Sequence, residues 1–212
     1  MNSNKRNQSL ECCRMIAAVF VVFIHYKFPE PLTGVVDTLA RFAVPFFFMI
    51  SGFFSYQAGP EKIKGRLAGA VKLNIAATGL YLVWKSYVGV LSGLSWTGWV
   101  REYLTVENIT IWFLLQQNPV QGHLWYLSAV VLIYACMYLY ICWQKDAQSY
   151  RYQPLYLLGI ILFLIHLLLS SFAAAVDVFN HFLLYRNGHL FGFPMFALGI
   201  FLREFFLCKS PF

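Results

Sequence analysis

The chain has 212 residues, of which 59% are hydrophobic, 19% aromatic and only 12% charged, and its formal net charge is +7. Soluble domains carry about 25% charged residues, so half that level over long apolar runs excludes a single water-surrounded core and sets the apolar surface against lipid. The basic residues fall in short connections between those runs, which assigns them to topology and lipid headgroups rather than to a nucleic-acid face.

A spanning helix needs about 20 mostly apolar residues. The first such stretch covers about 10–28. Lys5 and Arg6 precede it, but Tyr26 and Lys27 follow it in place of a small-residue cleavage site, so it reads as a retained helix rather than a removed signal. The second covers about 35–56 and contains Pro45, which predicts a kink and a freed carbonyl. The third covers about 67–91. The connection at 92–122 is the longest, and its Trp96, Trp99 and Trp112 predict an interfacial helix lying on the membrane. The remaining stretches cover about 123–143, 155–175 and 188–206, with Pro194 inside the last. The fold class is therefore all-α, a polytopic bundle of about six spanning helices.

Lys and Arg orient such a bundle. With the N-terminus in the cytosol, the inner segments hold Lys5, Arg6, Arg14, Lys62, Lys64, Arg66, Lys145, Arg151, Arg203 and Lys209. The outer loops hold Lys27, Arg101 and Arg186, so both termini are placed inside. Cys12, Cys13 and Cys208 then face a reducing compartment, and none of the five cysteines has the spacing of a metal site, so neither disulfides nor a metal is expected.

Ionisable groups at bilayer depth are costly and gather around partners or watery cavities. Arg14 and His25 bracket the first helix, eleven positions apart. At 100° per residue that step ends about 20° past three full turns, so both side chains share one stripe, about 16 Å apart along the axis. Ala18 and Val21 fall on the same stripe, and Ala18 leaves room beside it. His25, Arg41, His123 and Asp37 are placed to gather at an outer mouth, close to Trp125. Arg14, Lys62, Lys64 and Arg66 form a basic inner mouth, with Lys72 a turn or two deeper, suited to a phosphorylated anion. Taken singly, His123, His181 and His189 read as hydrogen-bonded boundary residues. His166, in mid-helix, reads as a helix–helix contact or a cavity residue.

The stretch from Arg14 to His25, Arg-Met-Ile-Ala-Ala-Val-Phe-Val-Val-Phe-Ile-His, resembles the first-helix motif of the acyltransferase-3 family of membrane acyltransferases. Arg41-Phe-Ala-Val-Pro-Phe-Phe-Phe-Met-Ile-Ser-Gly-Phe resembles that family's second-helix signature. His123-Leu-Trp-Tyr-Leu and Asn187-Gly-His-Leu-Phe-Gly-Phe-Pro-Met-Phe-Ala-Leu-Gly are similar to the branch that includes the membrane domain of vancomycin-resistance serine/alanine racemases.

The resemblance implies one domain over 1–212 that moves an acyl group, usually acetyl, from cytosolic acyl-CoA to an extracytoplasmic acceptor such as an envelope glycan, in a bacterial inner membrane. It implies no bound cofactor; acetyl-CoA is the donor substrate. His25 becomes the catalytic base or acyl relay, and Arg14 the residue that holds the donor or stabilises developing charge. Arg41, His123, Trp125, Lys64, Arg66 and Lys72 become substrate-binding candidates. The family's Arg-x-x-Arg at the third helix is replaced here by Lys62-Ile-Lys-Gly-Arg66, and six spans stand against about ten in the family, which reads as a domain incomplete at its C-terminus. A transporter-like domain for a small molecule such as an amino acid, and an inactive fragment, are the competing readings.

Overall fold

The computed structural model describes residues 8–25, 28–93, 95–144, 149–176 and 187–209. Lys5, Arg6, Tyr26, Lys27, Lys145, His181 and Arg186 lie outside them. The described chain is all-helical, and five of its segments are long and apolar enough to cross a bilayer: Leu32–Phe53, Pro60–Leu91, Gly122–Trp143, Gln153–Phe172 and Gly188–Cys208. It is a multi-pass membrane protein. The N-terminal helix α1, Gln8–His25, lies where the first span is expected. It carries Glu11 and Arg14, is not among the five, and rises about 27 Å over its 18 residues.

The second span is two helices, α2 at Leu32–Ala40 and α3 at Ala43–Phe53. The break falls at Arg41 and Phe42, one turn before Pro45. The proline has no N–H to give the carbonyl of Arg41, and its ring crowds that group. The third span, α4, starts earlier than its apolar run, at Pro60, and continues to Leu91. Gly59 is extended before it, and proline suits the first helical position because that N–H has no partner anyway. Its 32 residues rise about 48 Å, more than the roughly 30 Å hydrocarbon core, so its basic first turns extend beyond the apolar layer.

The long connection forms two short helices rather than one. Helix α5, Trp96–Tyr103, is capped by Ser95, whose hydroxyl accepts from the Gly98 N–H at 3.1 Å. Helix α6, Val106–Leu115, is capped by Thr105, which accepts from the Asn108 N–H at 3.1 Å. A single 3-10 turn at Gly122–Leu124 leads into α7, Trp125–Trp143, and α8 follows at Gln153–Val176. The last span opens with a π-helical turn at Gly188–Gly192 and continues as α9, Phe193–Lys209. The wide turn lets the Gly192 N–H reach the Asn187 carbonyl at 3.1 Å, just before Pro194 interrupts the donor series.

Helix α8 shows the membrane pattern most plainly. Its buried stripe is Leu155, Gly159, His166 and Ser170, while Leu157, Ile160, Leu164 and Leu168 are exposed. Polar groups turn inward and leucines outward because the solvent is hydrocarbon. The centre of the bundle is the crossing of α3 and α9. A Cβ built on Gly52 would lie 1.9 Å from the Phe196 carbonyl oxygen, and one on Gly199 would lie 1.9 Å from that of Met49. The two backbones touch through reciprocal glycines. Around this crossing α1 packs on α2 and α3, α4 packs on α7, and α8 packs on α9.

Gly52→Ala and Gly199→Ala are expected to abolish the monodisperse fraction recovered in mild detergent, because the new methyl meets backbone that cannot turn aside. Gly65→Ala and Gly69→Ala, where nothing lies within 4 Å, are expected to leave it unchanged. Size-exclusion of a fluorescent fusion reads both pairs.

Candidate active site

Helix α1 delivers one residue to each end of the bundle. At one end is the turn that closes α3. Arg14 sits with its guanidinium carbon 4.8 Å from the centre of the Phe54 ring, and its Nη1 donates to Glu11 Oε1 at 3.0 Å. Arg66 of α4 donates from Nη1 to the Ser55 hydroxyl at 3.0 Å. Arg203 of α9 lies 5.0 Å from the centre of the Phe53 ring. Three arginines from three helices thus engage three successive residues, Phe53, Phe54 and Ser55. The negative end of the α3 dipole favours their approach. Arg14 and Arg66 meet adjacent residues of the same turn, Phe54 and Ser55.

The turn beneath them is itself fixed. Gln57 adopts a left-handed conformation, and its N–H donates to the Tyr152 hydroxyl at 2.8 Å. Its side-chain amide donates to Ser149 at 3.0 Å and accepts from the Tyr150 N–H at 3.2 Å. Burial pushes the Tyr152 phenol well above its ordinary range, so it stays neutral.

At the other end, His25 closes α1 and its ring lies 5.0 Å from that of His123. Tyr81 of α4 meets His123 edge-on at 4.9 Å. The amide of Gln121 lies 3.0 Å from His123 Nδ1. Asn118 holds the preceding loop: its Oδ1 accepts from the N–H groups of Val120 and Gln121 at 2.9 and 3.2 Å, and its Nδ2 donates to Thr78 of α4 at 2.8 Å. One turn closer to the start of α4, Asn74 donates to Ser128 of α7, which also accepts from Trp112 of α6 at 2.8 Å. Gln116, left-handed at the end of α6, donates to the Leu114 carbonyl at 3.0 Å and accepts from the Gly188 N–H at 2.8 Å. His189 Nε2 is 3.0 Å from the same Leu114 carbonyl. The π-helical turn is therefore hydrogen-bonded to the end of α6, from which the chain runs directly into the His123 loop that Asn118 ties to α4.

Of the residues expected from the sequence, the structure brings Arg14 to Arg66 and His25 to His123. Trp125 is buried between Phe48 and Phe191, at ring distances of 6.1 and 6.5 Å. Lys62, Lys64 and Lys72 are exposed on α4. Arg41 is exposed at the break between α2 and α3, with its N–H on the Asp37 carbonyl. The small residue packed beside the Arg14 stripe is Ala17, fully buried, whereas Ala18 is exposed. The two alanines flank the stripe on opposite sides, and α2 and α3 take the Ala17 side.

Sequence reading missed the stripe Asn74, Thr78, Tyr81 and Lys85. Its steps of four, three and four polar residues along an apolar helix were the available signal. Arg203 was counted only for topology, and nothing local marks its approach to Phe53. An apolar crevice of about 290 Å³, lined by Ile133 and Met137 of α7 and Leu155 and Leu158 of α8, reaches Gly188 and His189 of the π-helical turn.

An all-helical membrane bundle with an arginine-lined end and a histidine-lined end, joined by α1 and α4, defines the class. The chain belongs to the acyltransferase-3 family: the family's acyltransferase domain matches residues 7–208. It is 26% identical over 226 aligned positions to an amino-acid racemase of Enterococcus faecalis, covering 96% of this chain and 29% of that protein. It is also 26% identical over 156 residues to a serine/alanine racemase of Enterococcus gallinarum, covering 66% of this chain and 21% of that protein. The chain thus spans less than a third of the length of these curated relatives. No solved structure matches it.

Gln116→Leu is expected to lower the thermal midpoint in detergent, since it strands the Gly188 N–H and uncaps α6 at a cost of about 1–3 kcal/mol. Gln117→Leu, whose side chain makes a weaker 3.4 Å bond to the Leu115 carbonyl, should cost less.

Proposed function

We propose that this chain transfers an acyl group, acetyl in the simplest case, from cytosolic acyl-CoA to a hydroxyl of an envelope glycan or similar acceptor at the outer face. One observation carries the reading: α1 sets Arg14 among arginines at one end and His25 against a second imidazole at the other. Family membership supplies the class of reaction.

The arginine end faces the cytosol in this reading, and both termini lie inside. Guanidinium groups suit the phosphates of the donor. Lys64 and Lys72 are exposed on the same helix as Arg66 and add to the attracting field. From Arg14, the axial rise to His25 is about 16 Å, so an extended carrier arm covers the distance without movement of a helix. At the outer end neutral His25 takes the proton of the acceptor hydroxyl as its oxygen attacks the thioester carbonyl. The new C–O bond forms, the C–S bond breaks, and the thiolate leaves with a proton returned from the imidazole. His123, held at Nδ1 by Gln121, orients His25 and the acceptor.

The racemase relatives are named for amino acids, which keeps amino-acid passage as a second reading. Membranes containing the chain are given labelled acetyl-CoA beside matched His25→Ala membranes. The expected outcome is label in envelope material, reduced about 100-fold or more in His25→Ala, the usual contribution of a general base. Arg14→Ala is expected to raise the acetyl-CoA concentration needed for half-maximal transfer. No transfer by either, with both proteins stably inserted and labelled serine or alanine crossing the membrane, would favour the second reading.

A further inference from the structure

Among the described residues of the outer end, Lys85 is a cation that this reaction does not use. It lies on α4 four residues beyond Tyr81, half-buried, with its ammonium nitrogen 5.2 Å from the centre of the Tyr103 ring of α5. Tyr81, one turn earlier on the same face of α4, meets the His123 ring at 4.9 Å, which sets Lys85 one helical turn from the histidine pair. The Lys85 position is built rather than incidental. Asn74, Thr78 and Tyr81 precede it on the same stripe, and each is tied to α7, to the 116–121 loop or to His123. The ammonium is therefore held at a set place beside the histidine pair.

A cation on a spanning helix needs a counter-charge or water. Among the described residues the single ion pair is that of Arg14 with Glu11, and none places a carboxylate within 4 Å of Lys85. Glu102 and Glu107 are exposed on α5 and α6 and make no such pair. The Tyr103 face restrains the ammonium but supplies no net charge. Among the described residues the outer end thus sets two imidazoles and an ammonium together with no carboxylate paired to them.

We propose that Lys85 receives an anionic group, carboxylate or phosphate, carried by the acceptor beside the hydroxyl that is acylated, so that the chain selects acidic acceptors over neutral ones. The proposal rests on the acyltransferase reading only for calling the ligand an acceptor. Lipid headgroups offer the same chemistry at this depth, and the test separates the two sources.

The full chain is reconstituted in phosphatidylcholine nanodiscs, and binding of methyl β-glucuronide and methyl β-glucoside is measured without any acyl donor. The two probes differ in the carboxylate. Wild type and His25→Ala are expected to prefer the glucuronide by about tenfold or more, the least that a desolvated charge pair commonly contributes. Lys85→Met is expected to lose that preference, and Lys85→Arg to keep it. Equal binding of both probes, binding of neither, or a preference that survives in Lys85→Met would overturn the proposal. So would a thermal midpoint that rises with phosphatidylglycerol content through Lys85 while the glucuronide has no effect, which would assign the ammonium to headgroups. A glucuronide preference that depends on Lys85, in a chain that transfers no acetyl, would overturn the acyltransferase reading and leave the anion site in place.

Discussion

The contact between Gly52 and Gly199 is the constraint from which the rest of the bundle follows. In hydrocarbon, apolar helices gain nothing by leaving lipid for each other, so close backbone approach must supply the attraction. Here each glycine meets a carbonyl of the opposing helix with no room for a methyl group. Phe53 follows Gly52 directly, and Arg203 lies one turn after Gly199, so the same crossing that joins α3 to α9 brings a guanidinium to an aromatic face. The π-helical turn before α9 is packed against side chains, less tightly: a Cβ on Gly188 would come within 3.1 Å of Ala129, and one on Gly192 within 2.9 Å of Phe48. Fixing α9 therefore fixes the arginine end directly and the His123 loop through Gln116.

Two helices connect the ends. Helix α1 carries Arg14 and His25, and α4 carries Arg66 toward one end and Tyr81 and Lys85 toward the other. This doubling gives the two ends a rigid separation. On α4 the polar residues between Lys72 and Tyr81 that meet other helices or loops are Asn74 and Thr78, uncharged and hydrogen-bonded. Polar groups that share partners in this way cost far less at depth than ions would.

Much of this was legible in the sequence, for a definite physical reason. Hydrocarbon imposes length and apolarity on every span, so the spans at 123–143 and 155–175 coincide with α7 and α8 almost to the residue. Helical periodicity is local, so Arg14 and His25 could be placed on one stripe without any knowledge of neighbours. What local pattern does not contain is which side of a stripe faces protein. Ala18 lies about 40° from Arg14 around the helix and Ala17 about 60° on the other side, and only the packing of α2 and α3 shows that Ala17 is the buried one. Apolarity also misreads the start of α4, because the helix continues through charged residues once Pro60 has begun it. Arg203 lies about 150 residues from its partner Phe53 in sequence, and no periodicity spans that gap.

A protein built this way should act across the bilayer, and sidedness tests that most directly. Sealed vesicles of known orientation are loaded with acceptor on one face and given labelled acetyl-CoA on the other. The account predicts acylation only when the donor is on the face bearing Arg14, Arg66 and Arg203 and the acceptor is on the face bearing His25 and His123. Transfer with donor and acceptor confined to the same face would contradict it.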